Sequence, residues 1–395
     1  MKNLLLVFTE NFFSQNDLKR FGIEKLLKRY DVCICDFTNY LHPSYYKTYS
    51  KKISYFKNRN INLKKILSLE EFTSFLEKQE TGMKIFVLDN LSIESLSSYK
   101  CFLKKKFEKL FFIKVHNNQQ PKTILYFKIK YLLFSRNFFW YFKKILNKIF
   151  SFPFTKKNIV TFKHDFILKS HTFNDETSKI KTFYIHSTDY EKIFYESFDY
   201  EKKQKFDLPK YKYAVYVEEM TSSHPDFEIL SRPLPITKEK YLQEINNFFF
   251  YFEKYTNLKI VISMHPRNLS LNSEGENFNR PKFYGEIYDL IKNSSLVLTH
   301  QSTSVNIAVT YKKPIIFLDS SSYKDLRPRI HTLRQKLGGK IFNINKKKFY
   351  HRNFENLFSY DQNKYKNYFS KYIKHPKSND RSIFDIILDL PEDVK

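Results

Sequence analysis

Short apolar runs alternate with longer stretches of helical spacing along most of this chain. Leu4 to Phe8 predicts a strand, and Gln15 to Arg29 then sets Leu18, Phe21, Ile23, Leu26 and Leu27 on one helical face. Asp31 to Phe37 predicts a second strand with Asp36 near its end, and Ile85 to Asp89 and Leu110 to Val115 predict two more. Ser68 to Gln79 and Ser92 to Lys106 read as helices between them, and Val160 to Phe166 and Thr182 to His186 as the last strands of this half. Such βαβ alternation argues a parallel sheet with helices on both faces.

Tyr200 to Lys212 is charged, contains Pro209 and has no period, so a domain boundary is expected there, between residues 1–208 and 209–395. Strand Tyr213 to Val217 opens the second half. A helix from about Thr237 to Tyr255 follows, with Tyr241, Ile245, Phe248, Phe249 and Phe252 as its buried stripe. Strand and helix then repeat over 259–264, 286–293, 296–299, 304–311 and 314–318, with a loop and short helices from Asn345 on. Pro121 to Phe154 breaks the pattern by mixing aromatics with Lys128, Lys130, Arg136, Lys143, Lys144 and Lys148. Two readings fit it: basic aromatic helices lying in an anionic membrane interface, or a hairpin packed on its own domain or in the cleft between halves.

Composition adds little that is specific. Lys+Arg number 68 against 41 Asp+Glu, a formal charge of +27, in a chain also rich in Tyr and Phe and holding only 6 Gly and 1 Trp. An AT-rich coding sequence produces that bias unaided, so the charge alone selects no polyanionic partner. Cys33, Cys35 and Cys101 have neither metal nor disulfide-framework spacing. The apolar start runs straight into Thr9-Glu10-Asn11 with no cleavage site, and no apolar run approaches membrane-spanning length. A cytoplasmic protein is expected, peripheral at the inner face of the membrane if the 121–154 segment contacts lipid.

Candidate chemistry gathers at the ends of the second-half strands, where open parallel sheets bind ligands. Ile260 to Met264 runs into His265-Pro266-Arg267, and Leu296 to Leu298 into Thr299-His300-Gln301-Ser302-Thr303-Ser304. Ser302, Thr303 and Ser304 with His300 suit an anion, and His265 with Arg267 suits a nucleotide phosphate, Pro266 holding His265 at the strand end. Glu218 and Glu219 after the Tyr213 strand offer a general base. His186 and Asp189 end a first-half strand and are acceptor-side candidates. No Gly-rich phosphate loop, Walker motif or Asp-x-Asp metal signature is present. No metal and no cofactor is therefore expected.

The order Val217-Glu218-Glu219 with His224-Pro225-Asp226, then Met264-His265-Pro266-Arg267, then His300-Gln301-Ser302-Thr303-Ser304 with Lys313-Pro314-Ile315-Ile316-Phe317 resembles bacterial surface-polysaccharide glycosyltransferases. It is similar in particular to the GT-B sialyltransferases and Kdo-transferase-like enzymes of capsule and lipooligosaccharide loci. The resemblance implies an α/β fold of two Rossmann-like domains facing a cleft, with C-terminal helices crossing back. It also implies a CMP-linked nonulosonic acid or Kdo donor and a glycan or lipid-linked glycan acceptor; nothing in the sequence resembles a nucleic-acid module, so no nucleic acid is expected. His265 would then contact the CMP phosphate, Ser302, Thr303 and Ser304 would grip phosphate or carboxylate, and one of Glu218 and Glu219 would be the base. Met220 stands where that acidic motif normally carries Gly. The rivals are a CDP-polyol phosphotransferase, a UDP- or GDP-sugar glycosyltransferase, and a non-catalytic protein that binds polyanions or glycans.

Overall fold

The computed structural model describes residues 2–51, 61–79, 83–92, 96–132, 162–172, 180–194, 207–229, 232–270, 278–322, 326–345 and 356–391. Two parallel sheets organise them. The first comprises β1 (Asn3–Thr9), β2 (Tyr30–Asp36), β3 (Asn62–Lys65), β4 (Ile85–Asp89), β5 (Leu110–His116), β6 (Phe166–Lys169) and β7 (Lys181–Tyr184), in the order β3-β2-β1-β4-β5-β6-β7. The second comprises β8 (Tyr213–Val217), β9 (Lys259–Met264), β10 (Lys282–Tyr284), β11 (Leu296–Thr299), β12 (Ile315–Asp319) and β13 (Lys340–Asn343), in the order β10-β9-β8-β11-β12-β13. All the strand pairings are parallel. The central strands are buried along nearly their whole length, which is why they read as unbroken apolar runs and not as alternations. Chain order reverses beside β1 and beside β8, and each reversal opens a crevice at the carboxyl ends of the strands.

The expected pair of Rossmann-like domains is thus present, and so is the C-terminal return. Ile383, Phe384, Ile386, Ile387 and Leu390 belong to the first half's core, beside Leu5, Val7 and Ile34. Gly22 explains why the single helix expected over Gln15 to Arg29 forms as two, Gln15–Arg20 and Ile23–Leu26. Its φ of 57° is left-handed, and a Cβ there would stand 2.5 Å from the Phe384 ring.

Other expectations shift. Of the strand expected over Val160 to Phe166, residues 160 and 161 lie outside the described residues; among those described it begins at Phe166, with His164 and Asp165 spent on polar contacts: His164 Nε2 with Asp89 Oδ2, and Asp165 Oδ2 accepting from Phe112 N. The short strands β3, β10 and β13 were not expected; they are short and only partly buried, with little apolar signal. The start of the basic aromatic segment docks across the halves. Helix Leu125–Leu132 packs on helix Arg327–Leu337, with Tyr131 Oη 3.1 Å from His331 Nε2 and Ile124 N donating to Thr332 Oγ1. The remainder of the segment, from residue 133, lies outside the described residues. Among those described, no helix is long and apolar enough to cross a membrane. Phe12 and Tyr45 of the first half close on Met220 of the second in a small separate cluster.

Candidate active site at the edge of the second sheet

β8 sits between β9 and β11, so the residues that follow it lie between the loops leaving both neighbours. Glu218 turns to one loop and Glu219 to the other. Glu218 is 1% exposed; its Oε2 accepts from His265 N at 3.0 Å and Asn268 Nδ2 at 2.9 Å, and its Oε1 from Met220 N. Glu219 Oε1 accepts from Thr299 Oγ1 at 2.7 Å, His300 N at 2.7 Å and Gln301 N at 2.9 Å, and its Oε2 also meets Gln301 N at 3.0 Å. Adjacent carboxylates thereby staple the two loops that carry the candidate phosphate ligands. Met220, the residue after the acidic pair, adopts a φ of 51°, the left-handed geometry that glycine supplies without strain.

The staple settles what each loop presents. His265 is half-buried, and its Nδ1 accepts from Arg267 N at 3.2 Å. Burial first, then the neighbouring His224 and Arg267, push its pKa down to about 3. The ring is neutral with its proton on Nε2, an N–H donor pointing away from the staple. Pro266 opens helix Pro266–Ser270, and the Arg267 guanidinium is held by Asp226 Oδ1 at 2.8 Å. In the other loop Ser302 N donates to Thr299 Oγ1 at 3.3 Å and Ser304 N to Ser302 Oγ at 3.1 Å, while Thr303 is exposed. These hydroxyls lie ahead of helix Val305–Thr310, whose six residues supply only a short dipole.

Several expected site residues prove to be fasteners. His300 is fully buried: Nδ1 donates to Leu318 O at 2.8 Å and Nε2 faces Tyr241 Oη at 3.5 Å, so its ring belongs to the core and only its backbone N–H serves the loop. His186, also fully buried, pairs its Nε2 with Glu191 Oε2 at 2.5 Å. Glu191 in turn accepts from Ile383 N at 3.0 Å and from Ser382 Oγ, which ties down the returning segment. Asp189 accepts from Tyr288 Oη at 3.2 Å and from Asn306 Nδ2 at 3.3 Å, both on the second half. His186 and Asp189 therefore join parts of the molecule. Glu218 is likewise tied inward, with both carboxylate oxygens accepting N–H donors.

Asn268, three residues beyond His265, carried no signal in the sequence, and Asp319 at the end of β12 stood out only as the polar end of an apolar run, without a role. Asp319 is gripped by Arg327 through Nε at 3.0 Å and Nη2 at 2.8 Å, and by His331 Nε2 at 3.1 Å. Burial pushes its pKa up, but the bonds from His331 and Arg327 outweigh that and hold it below the usual range. Arg327 also stacks on Tyr131, 4.5 Å from the ring centre, so this edge reaches the first half. Among the described residues no group of three His, Cys, Asp or Glu side chains is placed to hold a metal ion.

No family model and no curated protein matches the chain. Solved structures do. The wall teichoic acid polymerase TagF, as an H444N variant, aligns over 98% of this chain and 88% of its own with 14% identity and a TM-score of 0.52. The same variant soaked with CDPG gives 12% identity, 99% and 88% coverage and a TM-score of 0.51. A UDP-GlcNAc 2-epimerase from Methanocaldococcus jannaschii aligns over 98% of this chain and 99% of its own, with 15% identity and a TM-score of 0.47. The two-domain arrangement is that of GT-B proteins.

Proposed function

We propose that the protein is a glycosyltransferase that takes its transferable group from a nucleotide donor held on the edge of the second sheet. The observation that carries this reading is the double staple: consecutive carboxylates set an imidazole N–H donor and a hydroxyl-rich loop on the two strands flanking β8. His265 and Arg267 bind the donor phosphate, and Ser302, Thr303 and Ser304 bind phosphate or a donor carboxylate. Glu219, the member of the acidic pair that reaches the surface, takes the proton of the acceptor hydroxyl as its oxygen attacks. The bond from the donor carbon to the phosphate oxygen breaks, and the charge left on the nucleotide meets His265 and Arg267.

The motif order favours a CMP-linked nonulosonic acid donor and a bacterial capsule or lipooligosaccharide acceptor. A second reading, transfer from a CDP-activated polyol, is favoured by the fold shared with TagF, a polymerase whose solved structures include a CDPG soak. A thermal-shift panel of CMP, CDP, UDP and GDP tests both, since a nucleotide at 100 times its Kd stabilises the fold by about 2.7 kcal/mol. Stabilisation by CMP alone supports the first reading and by CDP the second; no response to any of the four overturns the proposal. His265→Ala should abolish transfer with the fold intact, and full activity in that variant removes its phosphate role.

A further inference from the structure

The chain contains His-Pro at 42, 224, 265 and 375, and three of these build one local turn. His224 Nδ1 accepts from Asp226 N at 3.2 Å, His265 Nδ1 from Arg267 N at 3.2 Å, and His375 Nδ1 from Lys377 N at 3.1 Å. Proline has no N–H of its own to offer, so the amide after it closes on the imidazole. A neutral ring whose Nδ1 accepts must carry its proton on Nε2. The turn thus fixes the tautomer and aims an N–H donor outward.

What that donor does depends on place. His375 lies flat on Tyr184 with ring centres 4.1 Å apart and is buried, so there the turn serves packing. His224 and His265 follow the adjacent strands β8 and β9, and their rings meet edge to face, 5.4 Å apart at 77°. Both are only part-buried. Burial pushes His224 down to about 4, as it pushes His265 to about 3, so neither ring is charged near neutral pH. Asp226 Oδ1 stands 3.6 Å from His224 Nδ1, outside hydrogen-bond reach, and is engaged by Arg267 at 2.8 Å. The guanidinium is therefore held beside both rings.

We propose that His224 is a second ligand of the donor phosphate, acting with His265 as a pair of neutral N–H donors to one anion beside Arg267. This rests on the donor reading above. Two neutral donors select a phosphate by geometry, and Arg267 supplies the charge, partly offset by Asp226.

The test compares nucleotide with nucleoside on the full chain. His224→Phe keeps a ring against His265 and deletes the donor. Calorimetry with CMP, CDP and UDP, and with cytidine and uridine as phosphate-free controls, is expected to show nucleotide affinity about 10- to 100-fold weaker, as for one hydrogen bond to a charged group, with nucleoside affinity unchanged. His224→Gln, which keeps an N–H at the end of the side chain, is expected to recover most of the loss. Wild-type nucleotide affinity in the Phe variant overturns the inference, as does an equal loss for nucleosides, or a Gln variant as weak as Phe. If the wild-type protein itself binds none of the three nucleotides, the donor reading falls and takes this inference with it.

Discussion

Both sheets use one strand order around their first strand, yet they fasten their carboxyl edges with opposite charges. In the first half a cation closes the loop after β4: Lys114 Nζ donates to Asp89 O at 3.0 Å and to Leu91 O at 2.6 Å. Below it Lys100 Nζ meets Asp89 Oδ2 at 2.9 Å, both side chains fully buried, and His164 adds a 2.8 Å contact. In the second half anions close the loops, and the groups they gather are backbone N–H donors. A cation on carbonyls leaves nothing over, because every partner faces inward. A carboxylate on amides fixes the backbone and leaves some side chains of the same loops, such as His265 and Thr303, outside the staple. Asp89, Lys100 and Glu218 are all buried; what sets the second cluster apart is Glu219, which reaches the surface with His265, Arg267 and the hydroxyls beyond it.

Variants that strike one edge and spare the other sharpen this contrast. Asp89→Ala leaves Lys100 buried without its partner and should lower the unfolding free energy by about 3–5 kcal/mol in denaturant titration; a loss under about 1 kcal/mol would show that the sealed cluster is not structural. Glu219→Gln should cost about 100-fold or more in transfer rate with a smaller loss of stability than Glu218→Gln, because the amide oxygen still accepts from Thr299, His300 and Gln301 and only the shared bond from Gln301 N to Oε2 is given up. Glu218→Gln should behave the other way round. Its amide sets N–H against N–H, costs about 1–3 kcal/mol of stability, and loosens His265 and with it nucleotide binding. Equal stability for the two variants would erase the distinction between staple and base.

Acid gives the next effect. Burial raises the Asp89 carboxyl, but His164, Lys114 and Lys100 more than reverse that and hold it at about 2 against an ordinary 3.8. Its stabilising contribution, about 2 kcal/mol, is present above pH 3.8 and lost as pH falls through about 2. His224 and His265, at about 4 and 3 against 6.5, run the same way from a higher start. Below pH 6.5 the unfolded chain takes protons that the folded rings refuse, so stability declines from there towards pH 3–4. His116 in the first half, pushed to about 4, adds to that first decline. Thermal denaturation from pH 7 to 2 should therefore show two phases, and the lower one should be shallower in the Asp89→Ala variant, where Asp319 and Glu191 still contribute to it. The smallest effect belongs to the joint between halves: Tyr288→Phe removes the Asp189 bond and should cost about 1 kcal/mol, read as a small fall in the melting temperature.

The sequence showed the sheets well, because runs such as Ile260 to Met264 and Leu296 to Leu298 are apolar on both faces and bounded by polar strand ends. It also marked the two strand-end loops that the carboxylates fasten, at His265 and at Thr299 to Ser304. It could not tell a fastener from a ligand. His186, His300 and Asp189 have the same strand-end placement as His265, and what distinguishes them is a partner far away in the chain: Glu191 tied to Ser382, the Leu318 carbonyl, Tyr288 and Asn306. Nor did periodicity reveal Gly22 as a break, since a single glycine inside a helical pattern is tolerated and its partner Phe384 lies in the last helix.

That last contact bears on how the protein is made. The core of the first sheet includes Ile383, Phe384, Ile386, Ile387 and Leu390, and these residues are translated after the whole second half. A ribosome delivers β1 to β7 with one wall of their core still missing. Ordinary domain-by-domain folding in order of synthesis would reverse here: the second sheet closes first, and the earlier half is completed by the segment that follows it. A chain truncated just before Ser382 keeps the second half's core through Ile373 and should leave the first half sensitive to protease while the second is resistant.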